Sequence, residues 1–333
     1  MPQKDPEAPP VSVDPDEARA ALTGRSIGPH LPLGQGMVKA VERARAIGAT
    51  TIQVFSDNPT SWRRRTDPPA EIDRFRSALD RFGMGPLAIH ASYLVNIASP
   101  EDELRARTVE TMVAELRMGA RYGARFVTLH LGSHRGTGVD AGLDRAGETL
   151  ARVLDLVPPG PEVPLLVLED SAGQGDTVGV TIAEVAGILA AAERHGADPA
   201  RLAICLDTAH LWGAGVALDD PAEVDRLIRE VDERIGLDRL AMLHLNDSRA
   251  GRGTRADRHE HLGAGGIGAA GLGALLGDPR IAHVPAYLET PGMESGWDAV
   301  NMERVRELLA GRPLAELPPG ARAARGDRAR AAR

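Results

Sequence analysis

A closed (β/α)8 barrel of the α/β class is the fold that this chain of 333 residues predicts, and three observations predict it. Eight short apolar β-type runs alternate with longer helical patterns, the order expected of repeated parallel βαβ units. Six consecutive runs, the third to the eighth, carry an imidazole or carboxylate at or near their C-terminal ends, as strands do when they deliver side chains to one mouth of a barrel. No Gly-x-Gly-x-x-Gly follows the first run, which counts against the alternative of an open, doubly wound sheet.

Taken in order, the runs are RSIGPH (25–30), TIQVF (51–55), LAIHASY (87–93), RFVTLH (125–130), PLLVLE (164–169), LAICLD (202–207), AMLHLND (241–247) and AYLET (286–290). Each is short and rich in aliphatic residues, as strands covered on both faces are. Between them, MVKAVERARAIGA, AEIDRFRSALDRFG and PEDELRARTVETMVAELRMGARYG have helical spacing. The third predicts Ser99 as N-cap with Pro100 at the first helical position. Residues 1–22 are acidic and Pro-rich, and residues 312–333 are Arg/Ala-rich and low in complexity. Both are expected to be disordered tails around a single barrel domain over 23–311.

Composition narrows the function. No apolar run is long enough to span a membrane, and the N-terminus lacks the apolar core of a secretory signal. Cys205 is the only cysteine, which excludes an intrachain disulfide and an all-thiolate zinc site and favours a reducing cytoplasm. A net charge of −8 speaks against a broad electrostatic grip on nucleic acid, unless bound cations offset a site full of carboxylates.

Such a site is what the run ends describe: His90, His130, Glu169, Asp207, His244 and Glu289 in successive strands. Carboxylates converging on one mouth repel each other, and a cation resolves that conflict. Asp207-Thr208-Ala209-His210 adds an imidazole three residues past a strand-end carboxylate, and the Gly- and Arg-rich loop after the seventh run adds Asp257-Arg258-His259. Nine nitrogen and oxygen donors exceed the four or five that one zinc takes, so several ions sharing a bridging carboxylate use them better. The remaining histidines, His30, His134, His195, His261 and His283, read as supporting or surface groups.

In the stretches HASYLVNIASP (90–100), LHLGSH (129–134), LEDSAGQGDTVG (168–179), CLDTAHLWGAG (205–215), HLNDSRAGRGTRADRHEHLGAGGIG (244–268) and LETP (288–291), the chain resembles the endonuclease IV family of apurinic/apyrimidinic (AP) endonucleases. These stretches span nearly the whole predicted barrel in the family's order. The resemblance implies a xylose isomerase-like TIM barrel with three zinc ions, manganese being an alternative at one site. The first ion would take His90, His130 and Glu169. A second would share Glu169 and add Asp207, His244 and Glu289, and the third would take His210, Asp257 and His259. It implies hydrolysis of duplex DNA 5′ to abasic sites by a monomeric DNA-repair enzyme, with Glu169 as the catalytic residue. It also implies DNA contacts through Tyr93 and Leu94, which match the loop that wedges into the base stack, and through Trp62, Arg63 and Arg258.

Three stretches depart from the family's pattern: Asp57 and Thr60 stand where Lys and Arg usually precede the Trp, Leu131 where Pro is usual, and Val216-Ala217 where Tyr-Asp is usual. They leave the donors intact and bear on DNA affinity, for which Arg63, Arg64 and Arg65 are candidate substitutes. Two rival functions remain open. A sugar isomerase or epimerase on the same barrel needs only Glu169, Asp207, His244 and Glu289. It has no use for the other five donors, and it wants a Lys or His base in a chain where lysine is almost absent. The other rival is a DNA-binding or metal-holding protein without turnover.

Overall fold

The structure, a computed structural model, describes residues 7–9 and 13–323. Eight parallel strands form the barrel: β1 (Ile27–Pro29), β2 (Gln53–Phe55), β3 (Ala88–His90), β4 (Phe126–His130), β5 (Leu165–Glu169), β6 (Leu202–Asp207), β7 (Leu240–His244) and β8 (Ala286–Leu288). Neighbours in sequence are neighbours in the sheet, and β8 returns to pair with β1. Between β1 and β2 the wall is closed by a parallel bridge from His30 to Gln53, with Leu31 N donating to the Gln53 carbonyl at 2.8 Å.

Strand periodicity positions everything that follows. Alternate residues of a strand face opposite sides. Ala88, Phe126, Val167, Ala203, Cys205, Met242 and Tyr287 form one small buried cluster, drawn from β3 to β8 and filling the barrel interior. The aliphatic residues between them, such as Ile89, Val127, Leu166, Leu168, Ile204 and Leu243, belong to the larger core under the helices. Two positions past an interior residue the side chain faces inward again, one layer higher. That layer holds His90 after Ala88, Glu169 after Val167, Asp207 after Cys205, His244 after Met242 and Glu289 after Tyr287.

The helices that cover the barrel include α2 (Met37–Ala46), α3 (Ile72–Arg81), α4 (Asp102–Tyr122), α5 (Val139–Asp155), α6 (Ile182–Arg194), α8 (Pro221–Arg234), α9 (Gly268–Gly277) and α10 (Asp298–Leu309), each with an apolar face turned to the strands. Helix α4 starts at Asp102, so Ser99 and Pro100 stand before it rather than at its cap. The Ser99 hydroxyl accepts from Glu101 N at 3.1 Å in a turn, and Glu101 is the cap residue. The seventh run also ends early. After His244, Asp247–Ser248 turns away and pairs antiparallel with His259–Glu260, so the run 241–247 is a strand plus half of a two-residue hairpin ladder.

Both expected tails carry structure where they are described. Residues Pro15–Ala20 form a short helix, α1, capped by Asp14, whose side chain accepts from Asp16 N and Glu17 N. Ala18 and Leu22 are buried, because the apolar residues Ala18, Ala21 and Leu22 recur at helical spacing within the acidic composition. Beyond α10 the chain runs on in contact with the body to a short 3-10 turn at Ala321–Ala323. Residues 1–6, 10–12 and 324–333 of the expected tails lie outside the described residues. Among the described residues, no helix is long and apolar enough to cross a membrane.

Candidate metal centre

Eight of the nine candidate donors meet at the C-terminal mouth of the barrel in three groups, within each of which one N or O atom per residue lies within 4.8 Å of the others. The first is His90, His130 and Glu169. The second is Glu169, Asp207, His244 and Glu289. The third brings Asp207 to His210 and His259, and Asp257 joins it with Oδ1 3.0 Å from His259 Nε2 and Oδ2 3.4 Å from His210 Nε2. Glu169 thus belongs to two groups, as the resemblance implies. Asp207 does too, with Oδ2 3.8 Å from His244 Nδ1 and 3.5 Å from His259 Nε2, a sharing that sequence reading did not assign.

Local structure explains how the donors are aimed. Asp207 ends β6 and caps α7 (Thr208–Ala214); its Oδ1 accepts from Ala209 N at 2.7 Å and His210 N at 3.1 Å. One oxygen is spent on the cap, the other faces the mouth, and the first helical turn carries His210 to the same place. Four of the five imidazoles, those of His90, His210, His244 and His259, are oriented by the other ring nitrogen, which fixes the tautomer. His90 donates Nδ1–H to the Ala91 carbonyl at 2.8 Å, His210 to the Asp170 carbonyl at 2.9 Å and His259 to the Glu289 carbonyl at 2.8 Å, leaving Nε2 for the mouth. His244 is reversed: its Nε2 meets Gln53 Oε1 at 2.9 Å, and Nδ1 lies 3.1 Å from Glu169 Oε1.

Of the supporting residues, sequence reading places His30 among supporting or surface groups and passes over Gln53, Asn246 and Asp170. Gln53 holds His244, and its Nε2 donates to Glu289 Oε1 at 2.9 Å; His30 is buried beside it, with Nδ1 3.3 Å from the same oxygen. Asn246 donates to Asp207 Oδ2 at 3.0 Å and accepts from Glu289 N at 2.9 Å. Asp170 Oδ1 accepts from Asp207 N at 2.6 Å. The signal for His30 and Gln53 is parity: both occupy inward positions of β1 and β2, so all eight strands contribute a polar group to this layer. Of the other histidines, His134 lies buried in the turn after β4, His195 pairs with Asp144, and His283 is exposed. His261 is a core residue against Trp297.

The donor set fits divalent cations. His90 Nε2, both Glu169 oxygens, His244 Nδ1 and His259 Nε2 are buried without a hydrogen-bond partner, and buried polar atoms are left in that state only where something else satisfies them. Without cations the charges hold one another. Burial resists ionisation of Glu169, yet His130 and His244 beside it keep its carboxyl well below the usual range. Burial likewise opposes charge on the imidazoles, but Asp207 and Asp257 lift His210 well above its ordinary value, and Asp257 and Asp207 raise His259 to about 10.

The residues expected to touch DNA ring the same mouth. Tyr93 and Leu94 are half-buried, the Tyr93 ring stacked edge-on to Phe55 at 5.4 Å and to His90 at 5.3 Å. They share a cavity of about 630 Å³ with Trp62, over which Arg107 sits at 5.2 Å. Arg63 and Arg258 are exposed. Arg64 folds its side chain inward against Glu115 at 3.2 Å, whereas Arg65 stays exposed with its side chain 3.5 Å from Asp57.

Residues 41–311 match the family described as xylose isomerase-like TIM barrel. A probable endonuclease 4 of Haloarcula marismortui is 38% identical, the alignment covering 85% of this chain and 98% of that protein. Another from Halorhodospira halophila is 40% identical over 81% of this chain and 90% of its own. The crystal structure of endonuclease IV from Thermus thermophilus superposes with a TM-score of 0.74 at 36% identity, covering 86% of this chain and 99% of that one. A D-tagatose 3-epimerase-like protein also superposes, with a TM-score of 0.63 at 17% identity; that likeness concerns the barrel alone. Likeness at more than a third of positions, over four-fifths or more of this chain and nine-tenths or more of those relatives, is membership: this chain belongs to the endonuclease IV family of AP endonucleases.

Proposed function

We propose that this chain hydrolyses duplex DNA on the 5′ side of abasic sites, leaving 3′-hydroxyl and 5′-deoxyribose phosphate ends, and trims blocked 3′ ends. It does so as a cytoplasmic monomer holding three zinc ions, with manganese as the alternative at one. The ligands are His90, His130 and Glu169; Glu169, Asp207, His244 and Glu289; and His210, Asp257 and His259, with Asp207 also facing the third ion. The observation that carries this reading is the convergence of nine donors on one rim with Glu169 and Asp207 each shared between groups.

Bound zinc supplies Lewis acidity toward phosphate oxygens and a water of lowered pKa. The protein's own residues do the rest. Glu169, fully buried between two groups, fixes the spacing of the first two sites and orients the attacking water. Gln53, Asn246 and the three backbone carbonyls hold the donors rigid, so little reorganisation accompanies the reaction. Tyr93 and Leu94 enter the base stack where the missing base makes unstacking cheap, and Trp62, Arg63 and Arg258 meet the backbone around it. A duplex bearing one tetrahydrofuran abasic analogue tests the reading. Nicking 5′ to the analogue with a 3′-hydroxyl product, abolished by a strong chelator and restored by zinc, is the expected result. Binding without nicking by the zinc-loaded protein sinks it.

A further inference from the structure

Residues 312–323 lie beyond the stretch that matches the family, and their composition reads as a solvated tail. They are instead built into the back of the loop that carries the third donor group. His261, two residues past His259, is fully buried. Its Nδ1 lies 2.9 Å from Asn301 Nδ2, and its Nε2 lies 3.1 Å from the Ala321 carbonyl. An amide nitrogen only donates, so Nδ1 accepts and Nε2–H donates to the end of the C-terminal segment. Asn301 Oδ1 in turn accepts from Leu262 N at 3.1 Å.

Arg304 ties the two segments together. Its Nε donates to the Leu262 carbonyl and its Nη1 to the Ala315 carbonyl at 2.6 Å. Leu314 fills the space that Gly263 leaves open: a Cβ there would stand 2.1 Å from Leu314 Cδ1. Ala321 and Leu317 then pack with Ala8, from the other end of the chain, on Trp297 and Val300. The other end of the loop, residues 251–255, is exposed and is tied to α7 instead, Gly253 N donating to the Trp212 carbonyl at 3.0 Å and Arg255 N to the Gly213 carbonyl at 2.9 Å, so the strap is the support on the His259 side.

We propose that residues 312–323 are a strap that sets the position of the third donor group, with His261 as its positioning residue. The strap contributes no donor itself. Zinc affinity at that group therefore depends on a segment outside the barrel, an inference that rests on the metal-centre reading above. A donor displaced by a fraction of an ångström weakens a zinc site, because ligand distances and directions are narrowly set.

The test compares the full chain, a chain ending at Gly311, and the variants H261L and H261Q. Each is zinc-loaded and then dialysed against rising concentrations of a moderate competing chelator, with retained zinc read by elemental analysis and folding by circular dichroism melting. The truncated chain and H261L are expected to release one equivalent at chelator concentrations about 10- to 100-fold lower than the full chain, the range typical of lost supporting contacts. The other two equivalents stay unchanged. H261Q, which keeps a donor for Ala321 and an acceptor for Asn301, is expected to follow the full chain. Superimposable release curves from folded H261L and the full chain overturn the strap, and so does a loss spread evenly over all three ions with a matching fall in Tm. Should the truncated chain not fold, the H261L and H261Q pair decides. A full-length chain that retains no zinc at all overturns the metal-centre reading itself, a separate failure.

Discussion

At the scale of single residues, Glu169 and His259 carry opposite burdens. Glu169 has no solvent exposure and both oxygens aimed at imidazoles, so Glu169→Gln removes a charge that two metal groups share. Nicking is expected to fall by more than about a hundredfold, the upper end of what a supporting residue costs, while the melting curve keeps its cooperativity. Wild-type-like turnover by that variant would remove Glu169 from the chemistry. His259 reports on the metal-free state. Its folded pKa of about 10 stands above the ordinary value near 6.5. The folded state therefore binds the extra proton, and stability from this group is complete below about pH 6.5 and is lost as pH rises through about 10. The metal-free chain should show a falling Tm across that window, and His259→Gln should flatten the fall. An imidazole must give up its extra proton to ligate zinc, so zinc uptake near pH 7 should release protons. Calorimetry in two buffers of different ionisation enthalpy measures that release, and equal heats in both would contradict it.

Among the elements, the loop from β7 to α9 is the one whose shape the donors depend on, and Asp247 closes it. Buried at its base, Asp247 accepts from Ser248 N at 2.7 Å, Gly265 N at 3.0 Å, Ile267 N at 3.0 Å and Gly268 N at 3.2 Å. Gly265 has no room for a side chain, since a Cβ would stand 2.3 Å from the Ser248 carbonyl oxygen. Asp247→Ala strands four backbone donors, and leaving buried polar groups unsatisfied costs about 1–3 kcal/mol each where no water reaches them. We expect a loss of at least about 2 kcal/mol by urea denaturation together with weakened zinc at the third group. An unchanged midpoint would show that the loop closes without it. The strands, by contrast, were legible. A polar residue ending an apolar run is a strong mark, and period-two parity turns six of the nine donors inward at the barrel mouth. The same parity pointed at His30 and Gln53, but they sit beside Pro29 and inside TIQVF without a carboxylate or a motif to draw the eye. Arg64 misled for the opposite reason. In RRR it reads as a basic surface, yet its partner Glu115 lies 51 residues away on α4, and no local pattern announces a pairing that long.

On the scale of the whole molecule, distance in sequence explains what composition could not show: Ala8, Trp297 and Ala321 meet in one cluster, although two of them lie in stretches that read as tails. Charge poses the remaining question, because a chain of net charge −8 has to hold a polyanion. Exposed arginines such as Arg63, Arg65 and Arg258 stand on the loops at the mouth, and bound ions would add a second source of attraction. The four carboxylates of the rim carry four negative charges; the three zinc ions proposed above would add six positive and bring the loaded mouth to about +2. Stripped of zinc, it keeps the four carboxylates, offset only by imidazoles such as His210 and His259 whose proton affinity those carboxylates raise, and is less positive. Over a Debye length of about 8 Å in physiological salt, that local difference outweighs charges on the far side of the barrel. The nicked product duplex, which gives no further turnover, allows the comparison at equilibrium. Zinc-loaded protein should bind it at least about tenfold more tightly than chelated protein, with a salt dependence steeper by about two to three counterions. Equal affinity and equal slope in the two states would locate the grip in the arginines instead and leave the ions with chemistry alone.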